Sequence, residues 1–337
     1  MRMALKVILQ RHSQSCRHNY TQTWQVLDVD LTGMPAGRLG EGVTSGYFAK
    51  QKNHRGRQLG RVLATWYDEI VVERFAERDG KRVLHRSLQE LLTSAEEVLD
   101  LTENKRESTI IRLDAGGGEE ADINWVLGRG YALLVKVKNW RRAHKLAATV
   151  TEWHPDPKVP ERNVGWVTQL HGYAKPARQL AVQHRKKNGQ WSYHVLVFNL
   201  TDAMLFALAD RPMPQSFQPL DLLLTALHAY DRRGGGVETQ NKGDKQGLGL
   251  SHRNKQRFAA QEMLVLLGQL AHDLVIWTRN DLAKADPRLH KYGVQRTVRD
   301  ALQIAGQVEI TADGQVHQIV LNQKHPLAQA VQTAFAR

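Results

Sequence analysis

Between Tyr230 and Lys245 the chain reads YDRRGGGVETQNKGDK, with a glutamate, Glu238, set between cationic groups just after three glycines. Consecutive glycines break a helix and let backbone come close to a ligand. Glu238 and Lys245 are seven apart, about two helical turns, so on a helix both project from one face roughly 10 Å apart. One face would then carry a metal-type ligand and a phosphate-type partner; as a plain helix start, Glu238 would simply favour the dipole. Two further acids stand out by position. Asp30 lies in WQVLDVDL, a strand pattern in which Asp28 shares its face, and acids inside an apolar strand are costly unless something binds them. Asp114 closes the β-branched run TIIRL before Ala-Gly-Gly-Gly, at the kind of strand end where open α/β sheets hold ligands, and it equally suits a turn cap. Brought together, three carboxylates repel and bind protons more tightly, a penalty that a divalent cation removes. All-oxygen ligands favour Mg²⁺ or Mn²⁺, and two such ions about 4 Å apart can activate water and stabilise the leaving oxygen of a phosphodiester.

The elements that must position these acids alternate. A strand over 24–31 is followed by a polar, basic loop at 50–61, paired strands over 61–77, a turn at Arg78, Asp79 and Gly80, and a helix over 88–101. Then come the strand at 109–113, a helix over 119–127 and a buried strand over 131–137, with helices at 221–230 and 258–278 and a tail hairpin around an Asp-Gly turn. From 140 to 214 the pattern changes to short strand-like runs, which predicts a β-rich insertion. Residues 138–199 hold eleven Lys or Arg against three Asp or Glu, eight of the net +13, and Trp140, Trp153, Trp166 and Trp191, half of the tryptophans. Cations interleaved with aromatics suit phosphates and stacked bases, while each tryptophan taken singly suits a core position.

Composition narrows the class. A net charge of +13 over 337 residues points to a polyanionic partner, nucleic acid before an anionic membrane. The single cysteine, Cys16, excludes an internal disulfide framework and suits a reducing cytosol. His12, Cys16 and His18 are too few and too loosely spaced for a zinc site. No secretory leader is expected at the N-terminus. The apolar run 258–278 carries Gln261, Glu262, Gln269, His272 and Asp273, which fits a buried helix and no membrane span.

RLDAGGG with the helix after it, GYALLVKVKN, YHVLVFNL, and Tyr230-x-x-Arg233 leading to Glu238 and Lys245 together resemble a bacterial insertion-sequence transposase of the DDE type, over about residues 24 to 280. The resemblance implies an α/β fold: an RNase H-like mixed sheet flanked by helices, with the β-rich insertion before the last catalytic helix. It divides the chain into a short N-terminal segment (1–23), a catalytic core (24–139 and 215–300), a basic insertion (140–214) and a C-terminal hairpin and tail (301–337). It implies Asp30, with Asp28 as competitor, Asp114 and Glu238 as the acids that bind Mg²⁺ or Mn²⁺. Tyr230, Arg233 and Lys245 would contact phosphate. The family spaces Arg and Glu by three residues and this chain by four, so Arg232 is the alternative to Arg233. Only 29 residues precede Asp30, so most of the family's end-recognition region is expected to be missing here. The implied function is cleavage at transposon ends and transfer of the 3′-hydroxyl to target DNA, by a homodimer on double-stranded DNA in the bacterial cytoplasm. The alternatives are a non-catalytic DNA-binding relic and a metal-dependent nuclease that does not join strands.

Overall fold

The computed structural model describes residues 1–48, 51–76, 83–250 and 255–335. In chain order the elements are α1 (Arg2–His12), β1 (Gln25–Pro35), β2 (Thr44–Phe48), β3 (Gln51–Ala64), β4 (Glu69–Phe75), α2 (Val83–Leu99), α3 (Glu103–Glu107), β5 (Thr109–Leu113), α4 (Glu120–Gly128) and β6 (Ala132–Lys136). They continue with α5 (Trp140–Ala147), β7 (His154–Pro155), β8 (Arg162–Trp166), β9 (Arg178–Arg185), β10 (Trp191–Phe198), α6 (Asp202–Leu208), α7 (Pro219–Asp231) and α8 (Val237–Gly247). Last come α9 (Phe258–Ala283), α10 (Val294–Ala301), β11 (Gly306–Ile310), β12 (Val316–Leu321) and α11 (Ala328–Phe335).

The fold is mixed α/β. At its centre the strands run β4-β3-β1-β5-β6: β1, β3 and β4 form an antiparallel meander, and β5 then β6 add in parallel to the other side of β1. Parallel pairing requires a crossover, which α2 supplies before β5 and α4 before β6. This is the order of an RNase H-like core. The β-rich stretch expected at 140–214 is present, and its strands extend the same sheet. Antiparallel β10 pairs with β6, placing Leu196 opposite Lys136, and β9, β8 and β7 follow outward.

Alternation along the strands separates two cores. On one face Leu27, Val29, Ile111, Leu113, Leu133, Val135, Val195 and Val197 pack against α2, α4 and α5. On the other, Val26, Ile110, Leu134, Leu180, Leu196 and Phe198 pack against α6 and α7. Asp28, Asp30 and Arg112 share the second face with Val26 and Ile110, the side that α8 also covers.

The stretch 50–61 is not the polar loop its composition suggests; from Gln51 onward it is strand β3, paired with β1 on one side and with β2 and β4 on the other. Its arginines are absorbed by distant groups. Arg57 donates to the Glu41 carbonyl at 2.9 and 2.7 Å, and Arg61 is buried between Glu73 and Asp244. The turn expected at Arg78–Gly80 lies outside the described residues. Helix α9 is long and apolar enough to cross a membrane by length and composition, and half of the relevant window is buried in the protein. Its polar residues are used internally: Gln269 donates to the Ile70 carbonyl at 2.8 Å, Asp273 accepts from the Ile70 amide at 2.8 Å, and His272 meets Asp244 at 2.7 Å.

Those contacts belong to a buried charge cluster that seats α8. Arg61 pairs with Glu73 and, at 2.6 Å, with Asp244 on α8. His272 bonds Asp244 through Nδ1 and the Asp68 carbonyl through Nε2. Asp68, held at a positive φ of 56°, accepts from Gln240 on α8 at 3.0 Å and Arg279 on α9 at 2.9 Å. Burial, reinforced by Glu69 and Glu73, pushes the Asp273 carboxyl well above the usual carboxylate range, against His272 and the Ile70 amide. Arg61→Met would leave Glu73 and Asp244 buried without their shared cation and is expected to cost about 3–5 kcal/mol. Replacing Arg74, whose 3.4 Å pair with Glu90 is exposed, is expected to change stability by less than about 1 kcal/mol. Denaturant unfolding of the two variants measures the difference.

Candidate functional site

Asp30, Asp114 and Glu238 come from β1, from the end of β5 and from the first turn of α8, with Arg233 between Asp30 and Glu238. Glycines permit the approach at two places. A Cβ at Gly236, which opens α8, would lie 2.6 Å from the Asp28 carboxylate, so only glycine lets this helix start sit against the strand. A Cβ at Gly118 would lie 1.9 Å from the Lys136 carbonyl, so the loop after Asp114 lies directly on the end of β6. Asp114 caps that loop by accepting from the Gly116 amide at 2.7 Å, and it also lines a cavity of about 330 Å³. Ala115, Lys136, Tyr230, Asp231, Arg233, Gly234 and Glu238 line the rest.

The two aspartates of β1 have different surroundings. Asp28 is fully buried and held by Arg112 through two hydrogen bonds of 2.6 and 2.7 Å, with Thr65 donating a third at 2.8 Å. Its negative charge is already matched by a fixed cation. Asp30 accepts from Asn241 of α8 at 3.1 Å and lies 3.6 Å from Arg233. Burial pushes its carboxyl up to about 6; Arg233 opposes that rise, and Asp114 and Glu238 add to it. Asp114 and Glu238 thus lie close enough to Asp30 for their charges to act on it.

Arg233 occupies the middle of that space. Its guanidinium lies 3.3 Å from Glu238, reaches Asp30 on its other arm and donates to the Val29 carbonyl at 3.2 Å, while its buried Nε has no hydrogen-bond partner. Arg232, one residue earlier, points away and pairs with Asp210 at 3.2 Å on the surface. Helix phase therefore brings Arg233, and not Arg232, into the cavity. Tyr230 faces it from the end of α7, and burial keeps its hydroxyl protonated far above the ordinary phenol range, so it can only donate or accept as a neutral group. Lys245 bonds Thr32 and, at 2.9 Å, the Gly33 carbonyl, which ties the far end of α8 to β1. Burial lowers its proton affinity, and Arg61 lowers it further.

Among the described residues no group of three or more His, Cys, Asp or Glu is close enough to enclose a metal ion. His12 lies tilted against Trp277 with ring centroids 5.9 Å apart, His18 bonds Tyr67 and Cys16 donates to the Val98 carbonyl. The oxygen donors of Asp30, Asp114 and Glu238 match a hard divalent cation in chemistry, and Arg233 stands in the gap that such an ion would share with Asp30 and Glu238. Two site residues escape sequence reasoning. Lys136 is a lysine ending a buried apolar strand, a signal visible in GYALLVKVKN. Asn241 follows Glu238 by three residues on the same helix face.

Asp28 and Asp30 are expected to separate cleanly in stability. Asp28→Asn breaks a buried bidentate pair and should cost about 3–5 kcal/mol. Asp30 has its folded-state proton affinity raised, so its penalty appears as pH rises from 3.8, its ordinary value, to about 6 and is full above that. Asp30→Asn should therefore match or exceed the wild type above that window, by up to ~3 kcal/mol, and the advantage should vanish in more acidic solution. Thermal unfolding of both variants across pH measures this.

No family model and no curated protein matches the chain. Among solved structures it is similar to a piggyBac transposase, seen by cryo-EM in a synaptic complex with hairpin DNA. The identity is 12% and the TM-score 0.47, and the alignment covers 93% of this chain and 58% of that one. The chain thus spans less than two thirds of that transposase's length. A likeness this distant says nothing of what this chain does, and the fold rests on its own strand order.

Proposed function

We propose that this chain is a metal-dependent DNA strand-transfer enzyme, a transposase of the DDE type. One observation supports the reading: Asp30 within β1, Asp114 at the end of β5 and Glu238 on the first turn of α8 come from three separated segments, and Asp30, pushed up to about 6 first by burial, also feels the charges of Asp114 and Glu238. Side chains that repel each other in this way are unfavourable for a fold unless a cationic ligand repays them.

Asp30, Asp114 and Glu238 would hold Mg²⁺ or Mn²⁺. The bound ion would supply Lewis acidity toward a water, or toward a DNA 3′-hydroxyl, and toward the leaving oxygen of a phosphodiester. The protein's own groups do the positioning. Lys136 lines the same cavity as Asp114, where its ammonium can neutralise a non-bridging phosphate oxygen. Arg233 must leave Glu238 for the acids to converge, and its guanidinium then has a phosphate to meet in place of a carboxylate. Tyr230, its hydroxyl kept protonated by burial, can donate a hydrogen bond into the cavity it lines. Lys245 holds α8 to β1 and keeps Glu238 in register with Asp30. Double-stranded transposon ends and target DNA would be the substrates, and handling two ends calls for two copies of the chain, a homodimer on DNA, in the nucleoid of a bacterial cytoplasm.

One observation favours a second reading, a non-catalytic DNA-binding relic: Arg233 already stands between Asp30 and Glu238 and balances part of their charge without an ion. Asp114→Asn separates the two. Asparagine can still accept from the Gly116 amide, so the loop is retained, while a charged oxygen donor is lost. Divalent-dependent cleavage and joining of end-bearing DNA should fall by about 100-fold or more with unchanged melting temperature. Equal turnover in the variant refutes the assignment, absence of turnover in the wild type supports the relic, and cleavage without joined product identifies a nuclease.

A further inference from the structure

Lys136 lines the carboxylate cavity, and it also begins a row of cationic side chains that leaves it. Lys136 is opposite Leu196 in the β6–β10 register, His194 lies two residues further along the same face of β10, and His184 stands opposite Ser192 on β9. Alternation puts Lys136, His194 and His184 on one face, the face of α7, and Lys186 continues beyond at the β9–β10 turn. The two imidazoles stack with centroids 5.1 Å apart and planes at 27°. All four are partly or fully exposed. Among the described residues no carboxylate pairs with His184, His194 or Lys186. Asp114 acts on Lys136 at the cavity end of the row, while Asp156 and Asp231 both bind Arg162, and Asp156 also binds His228.

We propose that the row Lys136–His194–His184–Lys186 is the track on which the phosphodiester backbone of one nucleic-acid strand leaves the cavity. The inference rests on the reading of that cavity as a phosphodiester-processing site. Four donors in a diagonal across β6, β10, β9 and the turn after it, at least partly exposed and with no carboxylate paired to the last three, match a chain of phosphates and no compact anion. The titration of the histidines follows from the same surroundings. His194 is lowered to about 4 by burial first, then by Lys136, His184, His144 and Lys186. His184 is lowered by burial, Lys136, Lys186 and Arg162. The groups facing the pair are thus Lys136 from β6, Lys186 from β9, Arg162 from β8 and His144 from α5, with Asp231 at the end of α7 taken by Arg162. Burial and the neighbouring cations both disfavour the charged imidazoles; phosphates laid along the row oppose the cations' contribution, and binding then takes up protons.

The experiment measures binding of a fluorescent DNA duplex, in EDTA, against pH and salt. The wild type should bind roughly three- to tenfold tighter at about pH 6 than at about pH 8, and H184Q/H194Q should lose that gain. Lys186→Gln should lower the slope of log affinity against log salt by about one. If H184Q/H194Q keeps the wild-type pH dependence and Lys186→Gln keeps its salt slope, the track is wrong. Should the double variant fail to fold, the imidazole titration of wild-type His194 followed by NMR decides: it should move well above its free value when DNA saturates the protein, and no movement overturns the proposal. These measurements need no turnover, so their failure is distinct from failure of the catalytic reading, which divalent-dependent cleavage tests separately.

Discussion

A helix bearing a carboxylate cannot be seated on a sheet by apolar contact alone when its sequence is VETQNKGDKQG. Only Val237 of α8 joins an apolar cluster beneath it, with Leu63 and Ile70. The rest of the seat is ionic: Arg61 shared between Glu73 and Asp244, His272 against Asp244, and Asp68 gripping both Gln240 and Arg279. Burying so many charges is justified only if each finds its partner, since a lone buried ion costs several kcal/mol. The benefit of such an arrangement is orientation, because ion pairs and hydrogen bonds fix a helix's rotation and register where methyl groups would let it slide. Glu238 faces Arg233 and Asp30 because the residues behind it are pinned.

The cavity side of α8 inverts this logic. Behind the helix positive and negative charges match; in front of it Asp30 and Glu238 share Arg233, and burial, reinforced by Asp114 and Glu238, pushes Asp30 up in proton affinity. Asp28, only two residues from Asp30, shows what a purely structural acid looks like on the same strand: two hydrogen bonds from one guanidinium and a third from a hydroxyl.

Much of this was legible in the chain itself, for identifiable reasons. TIIRLD and YALLVKV are continuous apolar runs because parallel strands are covered on both faces, and the acid at the end of the first then has a known place. The glycine run before Glu238 announced a close approach, and Gly236 makes it. What stayed hidden depended on partners far away in sequence. KQKNHRGRQLGR looks like a loop because the groups that satisfy Arg57 and Arg61 are at positions 41, 73 and 244. The choice between Arg232 and Arg233 turns on the phase of a short turn after α7, which spacing alone does not fix. Lys136 was passed over because it closes a strand otherwise read as core.

The ladder joining β6 to β10 has a mechanical meaning. Because the basic stretch hydrogen-bonds into the central sheet edge to edge, it cannot swing on a hinge as an appended lobe would; moving it means tearing backbone bonds. Any long polymer laid across both regions therefore meets a stiff, twisted anvil whose curvature is set before contact, and the bending has to occur in the polymer.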